Sequence, residues 1–165
     1  QEKFLELNVE LSAIWPVKYY SVSKDGGLSW SDAAPLLFDD GEPLFSPASI
    51  SRLIRSTRNG KLYWIGNIMG SKDELYADDS SRPRHRLLLA EVDEDTLAIK
   101  RDTVSVIDQQ KKGDVEREYT NFGVYEYRET GDFILTMCDR CFPMTGPGVT
   151  ETNKTSDTYR YRIEL

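Results

Sequence analysis

Along residues 159–165 apolar and charged side chains alternate strictly: Tyr159, Tyr161, Ile163 and Leu165 against Arg160, Arg162 and Glu164. Successive side chains of an extended strand point to opposite faces, so this alternation predicts a strand with one wet face. No stretch of 11 to 18 residues carries a 3.6-residue apolar period. Segments 61–68, 86–92, 98–100, 103–107 and 132–137 are short and rich in β-branched and aromatic residues, and they too are predicted as strands. Turn signals separate them. Arg58-Asn59-Gly60-Lys61 contains the Asn-Gly pair favoured where two central residues need positive φ. Glu129-Thr130-Gly131-Asp132 and the glycine-free Asp93-Glu94-Asp95-Thr96 fill the same role. Consecutive hairpins of this kind predict an all-β sandwich, barrel or propeller. Polar, charged or Gly/Pro-rich stretches at 70–84, 109–118 and 143–158 read as loops. Such loops can line a binding face, although 109–118 reads as plain solvated connection.

Composition narrows the function classes. A chain of 165 residues suits one domain with a sizeable core. The longest apolar runs, such as Leu87-Leu88-Leu89-Ala90, fall far short of the roughly 20 residues of a membrane-spanning helix, so no membrane partner is expected. Gln1-Glu2-Lys3-Phe4 lacks the basic start and apolar stretch of a secretory leader. A net charge of −7 and a pI near 4.8 argue against nucleic acid as a partner, because phosphate binding relies on clustered Lys and Arg. An acidic sugar would need a local arginine cluster. Cys138 and Cys141 form a lone CxxC, and with His85 the only histidine a four-ligand zinc site is not expected. The pair reads as loop or strand-end cysteines, free or bridged. Asp39-Asp40-Gly41-Glu42 and Asp78-Asp79-Ser80 lack the spacing of a calcium loop and read as solvated turns, so no metal or cofactor is expected. Asn153-Lys154-Thr155 is a glycosylation triplet that matters only in a secretory context.

Ser23-Lys24-Asp25-Gly26-Gly27-Leu28-Ser29-Trp30 fits Ser-x-Asp-x-Gly-x-x-Trp with Ser23, Asp25, Gly27 and Trp30 at the fixed positions. Ser and Asp side chains bond the backbone of a tight turn, and glycine supplies positive φ without steric cost. Trp30 is then expected to fold back and pack between hairpins. This motif resembles the Asp-box (BNR repeat) of the sialidase, or neuraminidase, superfamily. The resemblance implies a β-propeller of four-stranded antiparallel blades, with the box in the outer turn between the last two strands of a blade. Asp25 is accordingly structural.

The resemblance extends along the chain. Tyr19 to Val22 is similar to the third strand of a blade, and 31–37 to the strand after it. Ser46-Pro47 through Leu53, followed by Asn59-Gly60-Lys61-Leu62, is similar to a strand and hairpin of the family. Arg84-His85-Arg86-Leu87 resembles the segment that presents the third arginine of a carboxylate-binding triad, with Arg82 and Arg86 near enough to substitute for Arg84. Tyr119-Thr120-Asn121-Phe122 resembles the segment of the nucleophilic tyrosine, and 93–97 stands where a degenerate box would be. A blade takes about 40 to 50 residues, so 165 residues hold about three blades and the ring is incomplete in this chain.

Retaining enzymes of this family pair a tyrosine nucleophile with a glutamate, an aspartic acid and three arginines, an exception to the two-carboxylate scheme. Planar guanidinium groups suit a sugar carboxylate because they pair with it bidentately. By position the resemblance implies Tyr119 as nucleophile and Arg84, or Arg82 or Arg86, as substrate-binding residue. The first arginine and the acid would lie in preceding blades, and the activating glutamate there too, or near Glu6 or Glu10. The expected function is therefore a portion of a glycoside hydrolase acting on glycans, inactive alone. The alternatives are a non-catalytic carbohydrate-binding propeller, using aromatics such as Trp15, Tyr76 and Tyr125, and a scaffold that self-associates or pairs with missing N-terminal blades. The family also favours a secreted or periplasmic setting. Catalysis predicts Tyr119 and an arginine converging on one cleft.

Overall fold

A computed structural model describes residues 16–74, 80–111, 117–141 and 156–165. Among these there is no α-helix, only short 3-10 turns at Lys72–Glu74 and Arg101–Thr103. The strands are β1 (Tyr19–Tyr20), β2 (Ala34–Pro35), β3 (Arg52–Arg55), β4 (Leu62–Gly66), β5 (Arg86–Asp93), β6 (Ala98–Ile99), β7 (Ser105–Gln109), β8 (Arg117–Tyr119), β9 (Gly123–Glu126), β10 (Phe133–Cys141) and β11 (Ser156–Ile163). All pairings between them are antiparallel, and no sheet closes into a barrel. The all-β expectation therefore holds.

Three sheets follow one another along the chain. The first is the pair β1–β2. The second runs β3–β4–β5, and the far edge of β5 is shared by β7, beside Arg86–Leu89, and β6, beside Val92 and Asp93. The third runs β11–β10, and the far edge of β10 is shared by β9 and β8. Between β8 and β9 the chain turns at Asn121, whose φ is 54°, a conformation that Asn tolerates better than most residues. The strand expected at 103–107 lies two residues later, because residues 101–103 take a 3-10 turn and β7 spans Ser105–Gln109. The strand expected from Ser46 to Leu53 is shorter than foreseen: 46–51 is irregular and β3 spans only Arg52–Arg55.

The second sheet is buried on both faces. Tyr63, Ile65, Leu87 and Leu89 join Tyr119, Phe122, Phe133, Leu135 and Met137 in one core. Trp64, Ala90, Val92 and Ile99 join Leu36, Phe38 and Leu44 in another. A sheet covered on both sides needs apolar residues at successive positions, which is why 62–65 and 87–90 are continuous runs and not alternations. Each such side chain contributes about 1.5–3 kcal/mol on burial. Tyr63 meets Phe133 edge to face, with centroids 5.5 Å apart and planes at 82°, the geometry that aromatic quadrupoles favour.

Buried carboxylates tie the layers. Glu91 on β5 accepts from Lys61 (2.7 Å) and Lys100, and Asp132 is bound by Arg162 (2.6 Å) and Thr130 (2.6 Å), with Arg58 at 3.5 Å. Gly66 ends β4 beside the Trp64 ring. A Cβ there would lie 2.5 Å from the Trp64 ring and 3.2 Å from Ser51 Cβ.

Two stability measurements check this packing. Phe133→Ala, at a fully buried position, is expected to cost about 3–5 kcal/mol in urea unfolding. Gly66→Ala is expected to cost about 1–3 kcal/mol through overpacking, although the added methyl is apolar.

Candidate functional site

The Asp-box residues form a closed hydrogen-bonded turn between β1 and β2. The Ser23 hydroxyl donates to Asp25 Oδ1 (2.8 Å) and accepts from the Gly27 amide (2.7 Å). Asp25 Oδ1 accepts from the amides of Leu28 (3.1 Å) and Ser29 (2.9 Å), and Oδ2 from the Ser29 hydroxyl (2.6 Å). Gly26 and Gly27 have φ of 73° and 92°, the left-handed region that glycine enters without strain. The hydrogen bond from the Ser29 hydroxyl, then those from the Ser29 amide and Ser23, lower the Asp25 pKa to about 2. Asp25 is thus fully employed by its own turn. Trp30 corrects the expectation: its Nε1 donates to Gly27 O (3.2 Å), but the ring is 65% exposed and does not pack between hairpins. The turn at 93–97 repeats the chemistry in smaller form, with Asp93 Oδ1 accepting from the amides of Asp95 (2.9 Å) and Thr96 (3.1 Å).

A second constellation gathers where the segment before β5 meets β8. The Tyr119 amide donates to Arg84 O (3.0 Å), and Asn67 Nδ2 donates to both Arg86 O (2.8 Å) and Tyr119 O (2.9 Å). Those backbone bonds place the Arg82 and Arg84 side chains beside Glu118. Glu118 is 4% exposed; Arg82 Nε lies 2.8 Å from its Oε1 and Arg84 Nη1 3.9 Å from its Oε2. Arg84 further donates from Nε to Ser81 O (2.7 Å), from Nη2 to Ala48 O (3.0 Å) and from Nη1 to Thr120 Oγ1 (3.4 Å). A guanidinium has five N–H donors, so among the described residues one N–H on each terminal nitrogen of Arg84 makes no hydrogen bond. Lys18 stands nearby. Its ammonium donates to Pro47 O (2.8 Å), Ser49 O and Ser49 Oγ (3.5 Å). Burial, and secondarily the positive charge of Arg84, lower the Lys18 pKa to about 8. Lys18 and Arg84 therefore clasp the same 47–49 segment from two sides.

The arginines implied by the resemblance separate into two groups. Arg82 and Arg84 converge on Glu118, whereas Arg86 turns away to Glu74 (2.5 Å). Tyr119 is in the wrong place for a nucleophile. It is 2% exposed and belongs to the core with Phe122, Phe133 and Leu135, and a nucleophile must meet its substrate. Tyr119 closes β8 and fills the core, and its backbone takes part in the constellation.

Glu118, Asn67 and Lys18 are contributors that sequence reasoning did not single out. Nothing in the local pattern marks them, because their partners lie across 19 to 52 residues of chain. Asn67 Oδ1 is buried with no hydrogen-bond partner among the described residues. Glu126 accepts from Ser56 and the Thr57 amide and does not approach the constellation. Asp40 is held by Arg101 (2.5 Å and 3.0 Å), so one of the three carboxylates of the 39–42 turn is paired with a guanidinium. Cys138 is a free, exposed thiol on β10. Glu6, Glu10, Trp15, Tyr76, Asp78, Asp79 and Asn153 lie outside the described residues.

No family model, curated protein or solved structure matches this chain.

Two pH measurements follow from the shifts. Between about 8 and the ordinary 10.5, an unfolded chain keeps the Lys18 proton that the folded chain has released. Linkage then makes folding stability rise with pH across that window as far as Lys18 is concerned. The urea midpoint of the native chain minus that of Lys18→Met should climb from pH 8 to 10.5; a flat difference removes Lys18 as the source. Asp25 acts in the opposite sense: its stabilisation is present above the ordinary 3.8 and is lost as pH falls through about 2. Asp25→Asn should speed hydrogen exchange at the Leu28 and Ser29 amides at neutral pH, and the gap should close near pH 2.

Proposed function

We propose that the chain is a portion of a sialidase-like propeller that engages an acidic glycan through Arg84 and does not hydrolyse it unaided. The reading is supported by the order of the sheets, which succeed one another as hairpins in the way blades do, and by the Asp-box turn joining β1 to β2. One observation carries the functional part. Among the described residues Arg84 keeps two unused N–H donors on separate nitrogens, in a neighbourhood where Arg82 and Lys18 add positive charge and Glu118 is the one carboxylate it approaches. Two N–H groups of one planar guanidinium match the two oxygens of a carboxylate. The Thr120 and Glu118 contacts hold that plane still, which lowers the entropy lost on binding.

Burial of Tyr119 favours binding over hydrolysis for these residues. The resemblance assigns the remaining catalytic groups to other blades, so turnover belongs to a completed ring, closed by those blades or by a second copy of the chain.

Saturation-transfer NMR with 3′-sialyllactose and with lactose tests the proposal. Binding of the sialylated sugar is expected, with at least tenfold weaker affinity for lactose and for the Arg84→Ala chain, about 1.4 kcal/mol. Arg84→Lys keeps the charge but loses the fork, and it should weaken binding while preserving the unfolding midpoint. Equal affinity for both sugars, or indifference to both variants, sinks the proposal. Release of fluorophore from a sialoside by the monomeric chain, surviving in Tyr119→Phe, would overturn the non-hydrolysing part.

A further inference from the structure

A cleft of about 400 Å³ separates the first sheet from the second. Its walls are apolar, formed by Leu36, Leu62, Trp64, Val92, Leu97 and Ile99. Its two rims are strand edges: consecutive residues Tyr19, Tyr20, Ser21 and Val22 on one side, and Ser51, Arg52 and Leu53 on the other.

The edge at β1 is chemically unfinished. Lys18 O accepts from the Leu36 amide and Val22 O from the Ser31 amide, and Tyr20 faces Ala34 in register. The even-numbered residues thus spend their backbone groups on β2 and its continuation. Alternation along β1 turns the N–H and C=O groups of Tyr19 to the opposite edge, and neither those groups nor those of Ser21 just past the strand make a backbone hydrogen bond among the described residues. The other rim is an edge too. β3 pairs with β4 alone, and Leu53 on it is 63% exposed. Arg52 beside it makes one hydrogen bond, to Ser51 O at 3.3 Å, and no ion pair.

We infer that this cleft accepts an extended peptide strand from a separate partner, which adds to the free edge of β1 and drops alternate apolar side chains into the cleft. Free backbone donors and acceptors call for a backbone, which a lipid or an aromatic small molecule does not offer. A strand sends every second side chain to one face, so apolar residues would meet Leu62, Trp64 and Val92 while the intervening ones stay in water. Charge complementarity sets the polar half of the pattern: an acidic residue between the apolar ones can reach the uncommitted Arg52. Arg84 does not line the cleft, so strand addition and glycan binding are read by separate variants.

The probe is a fluorescein-labelled heptapeptide of alternating leucine and glutamate, titrated against the full chain and followed by anisotropy. Saturable binding is expected, weakened at least tenfold by Leu53→Asp and by Arg52→Glu; both positions are exposed, so both variants should fold. Peptides N-methylated on one or the other alternate set of amides make the reading specific. One set should abolish binding and the other should leave it within about twofold, because only one set can pair with β1. Absence of saturable binding, or equal loss from both N-methylated sets, overturns strand addition. Binding that appears only after residues 1–15 are removed overturns the separate partner and assigns the cleft to the chain's own N-terminal segment.

Discussion

Everything else in this chain depends on one sheet being buried on both faces. β4 and β5 sit between two cores, so each of their residues is committed to one side or the other. Tyr63 and Ile65 look toward the third sheet, Leu62 and Trp64 toward the first. A one-residue slip of either strand would exchange the two cores wholesale. That requirement explains why the register is uninterrupted from Tyr63↔Glu91 to Gly66↔Leu88, and why the smallest residue stands where the Trp64 ring closes over the strand end. The constellation at Arg84 and the cleft beside β1 both border this sheet. Their geometry is only as firm as its packing.

Charge is used at the joints. Glu91, Asp132 and Glu118 are each almost completely buried, and each lies within ion-pair distance of two basic side chains, drawn from different segments for Glu91 and Asp132 and from the single segment before β5 for Glu118. Removing one partner from such a group leaves a carboxylate with too little compensation in a poorly solvated place, a far larger penalty than losing a surface pair. By contrast, Arg55–Glu94 and Arg101–Asp40 are bidentate but exposed, and exposed pairs contribute little. Arg101 adds a contact over the Phe38 ring, 3.8 Å from its centroid. The acidic excess of the chain therefore says little about its joints, where positive side chains outnumber carboxylates.

Arg84 belongs to both categories. Three of its donors hold the Ser81, Ala48 and Thr120 positions together, and two make no hydrogen bond among the described residues. A structural arginine with donors to spare can receive an anion without first being ordered, because the protein has already fixed its rotamer. The same logic removes Tyr119 from the chemistry. Its backbone is central to the constellation, while its ring went to the core that the second and third sheets share.

The sequence by itself determined the elements and their chemistry at short range. The alternation at 159–165, the continuous runs at 62–65 and 87–90, and the Asn-Gly and box turns are local: each is enforced by side-chain periodicity or by hydrogen bonds spanning four residues or fewer. Tertiary structure decided the rest. That Tyr119 faces the core, that Arg82 and Arg84 converge on Glu118 while Arg86 turns to Glu74, and that Trp30 lies outside while Trp64 lies inside depend on contacts between segments apart in the chain. Periodicity reports that a residue has a buried face; it carries no information about which other strand covers that face, because that choice is made by packing after the strands exist.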